Sequence, residues 1–426
     1  MSVRPDSLPD ITDRSYADAL DEADPLRAFR DRFVPFSGPD ADRLIYLDGN
    51  SLGRPPLSAF DRLHEVVASD WAGGLIRSWE TPTSARPAWI EFPAAVGDLL
   101  GASLLGAGPG QVVISDSTTV NLYKLAAAAL DARPDRHTII TEASNFPTDR
   151  YVLEGLAAAR GLRVQYLRST GVDVVAGFST SDLVAVLDTD TALVCLSHVD
   201  YRSAAIADLA GITRAVHDLG ALVLWDLCHS VGSVPIELDA AGVDLAVGCT
   251  YKYLDAGPGA PAFLFVRKEL QASLQQPIWG WFGQREQFAM GPVYDPVATI
   301  ARFTTGTPNI LGITLVEAGV ELLADAGIDR LRAKGMALTS YLVELFDAWL
   351  APLGFELASP RDAPRRGSHI SLRHPEALRL CRALIEAQVV PDYREPDLIR
   401  LGVAALTTSF ADLHEAIGRL RDLAVS

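Results

Sequence analysis

The sequence predicts an α/β protein: a mostly parallel, seven-stranded type of sheet with helices on both faces, followed by a smaller α+β C-terminal domain. Three observations carry this. Between residues 112 and 248, short runs of strand length alternate with longer helical runs. Those short runs are mostly apolar, as strands buried on both faces are. After Lys252 the pattern changes. Phe263–Val266 reads as a strand returning antiparallel, and beyond residue 311 helices mix with antiparallel-looking strands. At 426 residues the chain is too long for one simple core. The expected division is an N-terminal segment (1–58) packing with the small domain, a large α/β domain (59–310) and a small domain (311–426).

In chain order, a helix is expected over Ala17–Phe33. Residues 44–56, L-I-Y-L-D-G-N-S-L-G-R-P-P, read as a short strand entering a turn. Asp48, Gly49 and Asn50 favour positive φ there. The turn either borders a ligand or is only a turn. Residues 59–78 and Pro87–Leu105 have helical spacing. Val112–Ile114 is a strand, and S-D-S-T-T-V-N-L opens the helical run after it. Thr118 and Thr119 would offer hydroxyls and free N–H groups to a phosphate, or simple N-capping explains the same residues. Thr138–Thr141, Val164–Tyr166 and Leu193–Leu196 continue the strands. Phe146 could cover a planar ligand and Asp149 bond its edge, or both belong to an ordinary turn. A long helix is expected from Ile313 to about Lys334, continuing through Leu338–Leu350.

A formal net charge of −17 argues against nucleic acid or an anionic membrane as partner. No apolar run reaches the length of a membrane span and the N-terminus has no leader-like apolar stretch, so the expected location is cytoplasmic. The four cysteines (Cys195, Cys228, Cys249, Cys381) lack C-x-x-C spacing and read as small buried hydrophobes. No metal site is expected.

Residues 221–259 carry the most chemistry. Leu222–Trp225 and Leu245–Gly248 read as buried strands. Asp226 and His229 follow the first; Thr250, Tyr251 and Lys252 follow the second. Ligands of open α/β sheets bind at such carboxyl ends. An acid and a lysine placed this way suit pyridoxal phosphate (PLP): the lysine carries the cofactor and the acid keeps its ring nitrogen protonated. The chain has only four lysines, Lys124, Lys252, Lys268 and Lys334. One kept at the end of an apolar strand stands out; taken alone it could be a lysine snorkelling from a strand end, but with Asp226 placed 26 positions earlier the cofactor reading leads.

Taken together, Y-L-D-G-N-S-L-G, G-L-I-R-S-W, D-S-T-T-V-N-L, N-F-P-T-D, W-D-L-C-H-S-V-G, Y-K-Y-L-D-A-G-P-G-A-P, G-W-F-G, G-T-P and R-G-S-H-I-S-L-R-H resemble the kynureninase family, over about residues 44–410. These are fold-type I PLP enzymes of the aminotransferase class V group. The resemblance implies hydrolysis of a C–C bond: L-kynurenine is cleaved to anthranilate and L-alanine, a step of tryptophan catabolism. It implies that Lys252 carries PLP and acts as general base, that Asp226 pairs with the ring nitrogen, and that His229 lies beside it. Phe146 would stack on the ring, with Asp149 and Ser197 near its substituents. Thr118, Thr119 and Tyr251 would hold the phosphate, and Tyr251 would also protonate Cβ. Trp281 and Thr307 would complete the site across the interface of a homodimer with shared active sites. Arg400, with Asn50, would take the substrate; a guanidinium suits an α-carboxylate through two parallel bonds.

Four features depart from the family pattern: Gln284, Asp255, Asp200 and the segment spanning residues 80–88. They border the aryl side of the expected site, which keeps a ring-substituted substrate such as 3-hydroxykynurenine in view. Two rivals remain. A cysteine desulfurase of the same fold group needs an exposed nucleophilic cysteine. A non-catalytic PLP-fold protein has no need of Lys252.

Overall fold

In the computed structural model, residues 9–38, 40–82, 86–168, 175 and 177–426 are described. The chain opens with helix α1 (Arg14–Glu22), then strand β1 (Ile45–Tyr46) and helices α2 (Leu57–Glu65) and α3 (Phe92–Leu100). The helix expected over 17–33 therefore ends early. Pro25 cannot continue it, and the chain resumes as a 3₁₀ turn over Arg27–Arg32.

The large sheet follows: β2 (Val112–Ile114), α4 (Thr118–Asp131), β3 (Thr138–Glu142), α5 (Pro147–Arg160), β4 (Arg163–Leu167), α6 (Thr180–Val184), β5 (Thr191–Ser197), α7 (Leu209–Asp218), β6 (Leu222–Asp226), α8 (Leu238–Ala241), β7 (Leu245–Gly248) and β8 (Phe263–Val266). The sheet has seven strands in the order β2-β8-β7-β6-β5-β3-β4. The run β7-β6-β5-β3-β4 is parallel, and β8 runs antiparallel to both its neighbours. Both expectations for this sheet are met.

Period-2 alternation sorts its side chains. Val223 and Trp225 face a core built with α3 and α7, whereas Leu222 and Leu224 face α4 and α5. Trp225 is fully buried and its indole N–H donates to Thr213 Oγ1 at 3.2 Å, so the bulk is absorbed without an orphaned donor. The next residue on β6, Asp226, thus emerges on the α4 side. Ser197, paired with Asp226 across the ladder, emerges on the same side.

After α9 (Lys268–Gln271) come α10 (Ile310–Ala326), α11 (Ile328–Leu345), β9 (Glu356–Leu357), β10 (His369–Arg373), α12 (Ala377–Glu386), β11 (Val389–Val390), β12 (Asp392–Arg394), β13 (Leu398–Gly402) and α13 (Phe410–Val425). The second sheet is antiparallel, in the order β12-β13-β10-β9. The single long helix expected from Ile313 is two helices, broken at Gly327 with φ +81°. Because Ile313, Val316, Val320 and Leu323 of α10 belong to the large-sheet core, we propose Gly327 rather than residue 311 as the boundary. Tyr16, Ala17, Ile45 and Leu47 pack into the core of the C-terminal unit, and β1 pairs with β11 in parallel. No helix among the described residues is long and apolar enough to cross a membrane.

Candidate active site

Thr118, Thr119, Phe146, Asp149, Ser197, Asp226, His229, Tyr251 and Lys252 line one cavity of about 170 Å³. It lies at the carboxyl ends of β5, β6 and β7. A larger cavity of about 450 Å³ touches Ser197 from another direction, with Val175 and Gly177 in its wall beside residues 169–174 and 176, which lie outside the described residues. The ionisable groups that chemistry needs converge on the smaller one.

Lys252 follows β7 in a tight turn. Its Nζ lies 3.4 Å from His229 Nε2 and 6.0 Å from the Phe146 ring centroid. Burial, and then the charge of Lys252, push His229 well below its ordinary range, so its ring is neutral and can accept from the lysine. Phe146 precedes Pro147 at the start of α5, is 39% exposed and meets Tyr201 edge to face at 5.3 Å. That leaves one aromatic face open toward the cavity.

Asp226 is buried, and its Oδ1 accepts from the Cys228 N–H at 2.7 Å. Asp149 lies against it; burial, followed by the charge of Asp226, holds its carboxyl well above the usual range. Asp149 Oδ2 is buried without a hydrogen-bond partner. Ser197 Oγ donates to Asn145 Oδ1 at 2.9 Å, and Glu142 Oε1 accepts from the Ser197 N–H at 2.7 Å. Thr118 and Thr119 begin α4, but Ser117 is its cap, accepting from Val120 N–H at 3.4 Å. The capping explanation for the two threonines therefore falls to Ser117, and both residues line the cavity at a positive helix end.

These features fit PLP. An unpartnered acid oxygen beside a second carboxyl suits a protonated ring nitrogen and its neighbouring substituent. A helix N-terminus with two hydroxyl-bearing residues suits a phosphate, and the Lys252 side chain lines the same cavity.

Trp281 and Thr307 do not reach this cavity within the chain. Trp281 is 41% exposed and packs on Phe282 and Phe288. Thr307 lines an adjoining cavity that Thr118 and Tyr251 also border. Arg400 and Asn50 lie together on the C-terminal unit's side. With its amide oxygen turned toward the guanidinium, Asn50 accepts from Arg400 Nε at 2.7 Å and Nη2 at 3.1 Å. Gly402 must be glycine here, since a Cβ would lie 1.6 Å from the Asn50 side chain.

The departures from the family pattern have local work. Asp200 Oδ1 accepts from the N–H groups of Arg202 (2.9 Å) and Ser203 (2.6 Å), closing the turn after β5. Asp255 has φ +56°, a backbone state that Asp and Asn tolerate. Gln284 braces its own loop, accepting from Asp295 N–H at 2.6 Å. Of the 80–88 segment, residues 83–85 lie outside the described residues; Arg86 is buried and pairs with Glu317 (2.8 Å) and Glu65 (3.0 Å). Tyr201, Thr148 and Cys228 also line the cavity without having been singled out. Tyr201 and Cys228 each follow a strand end by a few residues, and that spacing was the available signal.

Residues 331–420 match the family model "Kynureninase C-terminal domain". The chain is 40% identical to kynureninase of Pseudomonas fluorescens, over 97% of this chain and 96% of that one. It is 42% identical to kynureninase of Burkholderia pseudomallei strain K96243, over 96% and 95%. The chain belongs to the kynureninase family. In fold it is similar to a cysteine desulfurase of Thermococcus onnurineus NA1 (TM-score 0.78, 17% identity, 93% of this chain and 98% of that one). It is also similar to a C-DES mutant with glycine covalently linked to its PLP cofactor (TM-score 0.74, 18% identity, 90% and 100%). The family's fold is thus the fold-type I PLP architecture expected from the motifs.

Proposed function

We propose that this chain hydrolyses L-kynurenine to anthranilate and L-alanine with PLP held in the Lys252 cavity. The observation that carries the reading is the convergence of Lys252, Asp226 and the α4 N-terminus on one cavity, in a chain of kynureninase ancestry. Asp226 and Asp149 would hold the ring nitrogen edge, Phe146 its face, and Thr118, Thr119 and Tyr251 the phosphate. When bound, PLP would supply an electron sink that acidifies the substrate Cα–H and, once water has added to the γ-carbonyl, lets the Cβ–Cγ bond break with its electron pair left on Cβ. Lys252 takes the Cα proton as general base. Neutral His229 accepts a hydrogen bond from Lys252 and keeps the amine aimed at the cavity. Burial holds the Tyr251 phenol above its ordinary range, so it stays protonated and can deliver a proton to Cβ. Arg400, with Asn50, meets the α-carboxylate.

We also place the protein in the cytoplasm, given four free, buried thiols, and read it as a homodimer. Ile278, Trp279, Trp281, Phe288, Met290 and Val293 are all exposed within one short stretch, more apolar surface than a solitary chain usually leaves open. In the dimer this stretch would carry Trp281, and Thr307 with it, to the partner's site. The desulfurase reading fails on chemistry, because every cysteine is buried.

Purified protein should be yellow and release anthranilate from L-kynurenine; Lys252→Ala should lose turnover. Holoprotein inert toward both L-kynurenine and 3-hydroxykynurenine would overturn the substrate, and protein that never takes up PLP would overturn the site.

A further inference from the structure

Arg400 is almost completely buried, and nearly all of its donors are already engaged. Its Nε donates to Asp392 Oδ1 at 3.0 Å and its Nη2 to Asp392 Oδ2, and Asn50 shares both donors at 2.7 and 3.1 Å. Nη2 also donates to Ser51 Oγ at 2.9 Å, while Nη1 donates to the Tyr201 carbonyl. A guanidinium has five N–H bonds and two edges that can receive a carboxylate through paired contacts. Nη2 belongs to both edges, and both of its hydrogens are taken. An α-carboxylate therefore cannot dock bidentately on Arg400 as it stands. The simple expectation for Arg400 needs that correction.

The charged partner in the fork, beside the Asn50 amide, is itself a carboxylate. Asp392 on β12 stands opposite Arg400 on β13 in the ladder. It has a second cation at hand, because Arg394 Nη2 donates to Asp392 Oδ2 at 2.7 Å. Ser51 Oγ donates to the same oxygen at 3.0 Å. Asp392 can thus release Arg400 without becoming a bare buried charge, the outcome that makes breaking such pairs costly.

We propose that Asp392 is an internal stand-in for the substrate's α-carboxylate: it occupies the fork of Arg400 and passes to Arg394 when the substrate arrives. This rests on Arg400 being the carboxylate site. Asp392 is then a positioning residue that sets affinity and selectivity. Ligands with a carboxylate displace it, and amines without one leave the fork closed. The exchange trades one carboxylate for another on the same cation, so the net gain in binding is smaller than a free arginine would give.

The test is calorimetric binding of L-alanine, and of ethylamine as its decarboxylated analogue, to PLP-loaded protein, alongside KM and kcat for L-kynurenine. Asp392→Asn should bind L-alanine about tenfold tighter and lower KM, with ethylamine unchanged. Arg394→Gln removes the alternative resting place and should weaken alanine binding by a similar factor, so the idea stays testable if Asp392→Asn folds poorly. Alanine binding that is unchanged or weaker in Asp392→Asn, or unchanged or tighter in Arg394→Gln, overturns the proposal. Arg400→Gln separates the two readings: alanine affinity equal to that of the unaltered protein would show that Arg400 is not the carboxylate site at all.

Discussion

Glu142 and His198 are buried neighbours of the site whose titrations act in opposite directions. Burial, then the charge of Asp200, raises the Glu142 carboxyl to about 8. The native state therefore holds a proton that the unfolded chain has already lost, and stability falls as pH rises from about 4.5 toward 8. Glu142→Gln keeps an acceptor for the Ser197 N–H and removes that cost. Its thermal midpoint should exceed the parent's at pH 8.5, by an amount worth a few kcal/mol at most, and converge with it below pH 5. His198 is lowered to about 4 by burial and then Arg332. The unfolded chain takes up a proton that the native state refuses, so stability falls as pH drops from about 6.5 toward 4. His198→Gln should shift the acid unfolding midpoint to lower pH in circular dichroism titrations. The two windows overlap between about 4.5 and 6.5, where the opposed slopes cancel and the fold is most secure.

Helix α10 sets the position of the Lys252 turn. Gly319 lies so close to the segment after Lys252 that a Cβ would come 1.8 Å from the Leu254 carbonyl oxygen. Gly319→Ala should push α10 away from that turn, cost about 1–3 kcal/mol in denaturant unfolding and weaken PLP retention. Among the helices of the other face, α4 carries a fully buried lysine. Lys124 Nζ donates to Asp116 Oδ2 and to the Phe303 carbonyl, each at 2.6 Å. Lys124→Met leaves Asp116 without its cation and should cost about 3–5 kcal/mol, read by urea unfolding. Lys334, likewise, is spent on Asp24 at 2.6 Å. Three of the four lysines are thus committed, two to structure and one to the site, which tempers scarcity as a signal: only Lys252 ends at a cavity.

At the scale of the whole molecule, the exposed aromatic stretch around Trp281 is the feature that one chain leaves unexplained. Sedimentation should show a dimer. Trp281→Ala should raise the KM or lower PLP affinity, although Trp281 does not touch the cavity of its own chain, and a fully active monomer would sink the shared-site reading.

Much of this protein was legible in the sequence because its signals are local. Apolar runs of strand length declared the large sheet, the antiparallel return of Phe263–Val266 included. The polar residues ending those runs declared the site, since a strand's last residues must open onto the sheet's edge. Nine of the residues named for the cofactor share one cavity for that reason. What remained hidden depends on partners distant in sequence. The two-helix split at Gly327 changes which core claims α10. Asp149 acquires its high affinity for a proton from burial, and then from Asp226, which β6 brings beside it. Asp392, eight residues before Arg400, looks like any loop acid until the hairpin of β12 and β13 folds it onto the guanidinium. Sequence by itself determined the fold class, the lysine and the acid; tertiary structure decided which charges neutralise one another, because burial and distance set electrostatic energy and neither is written along the chain.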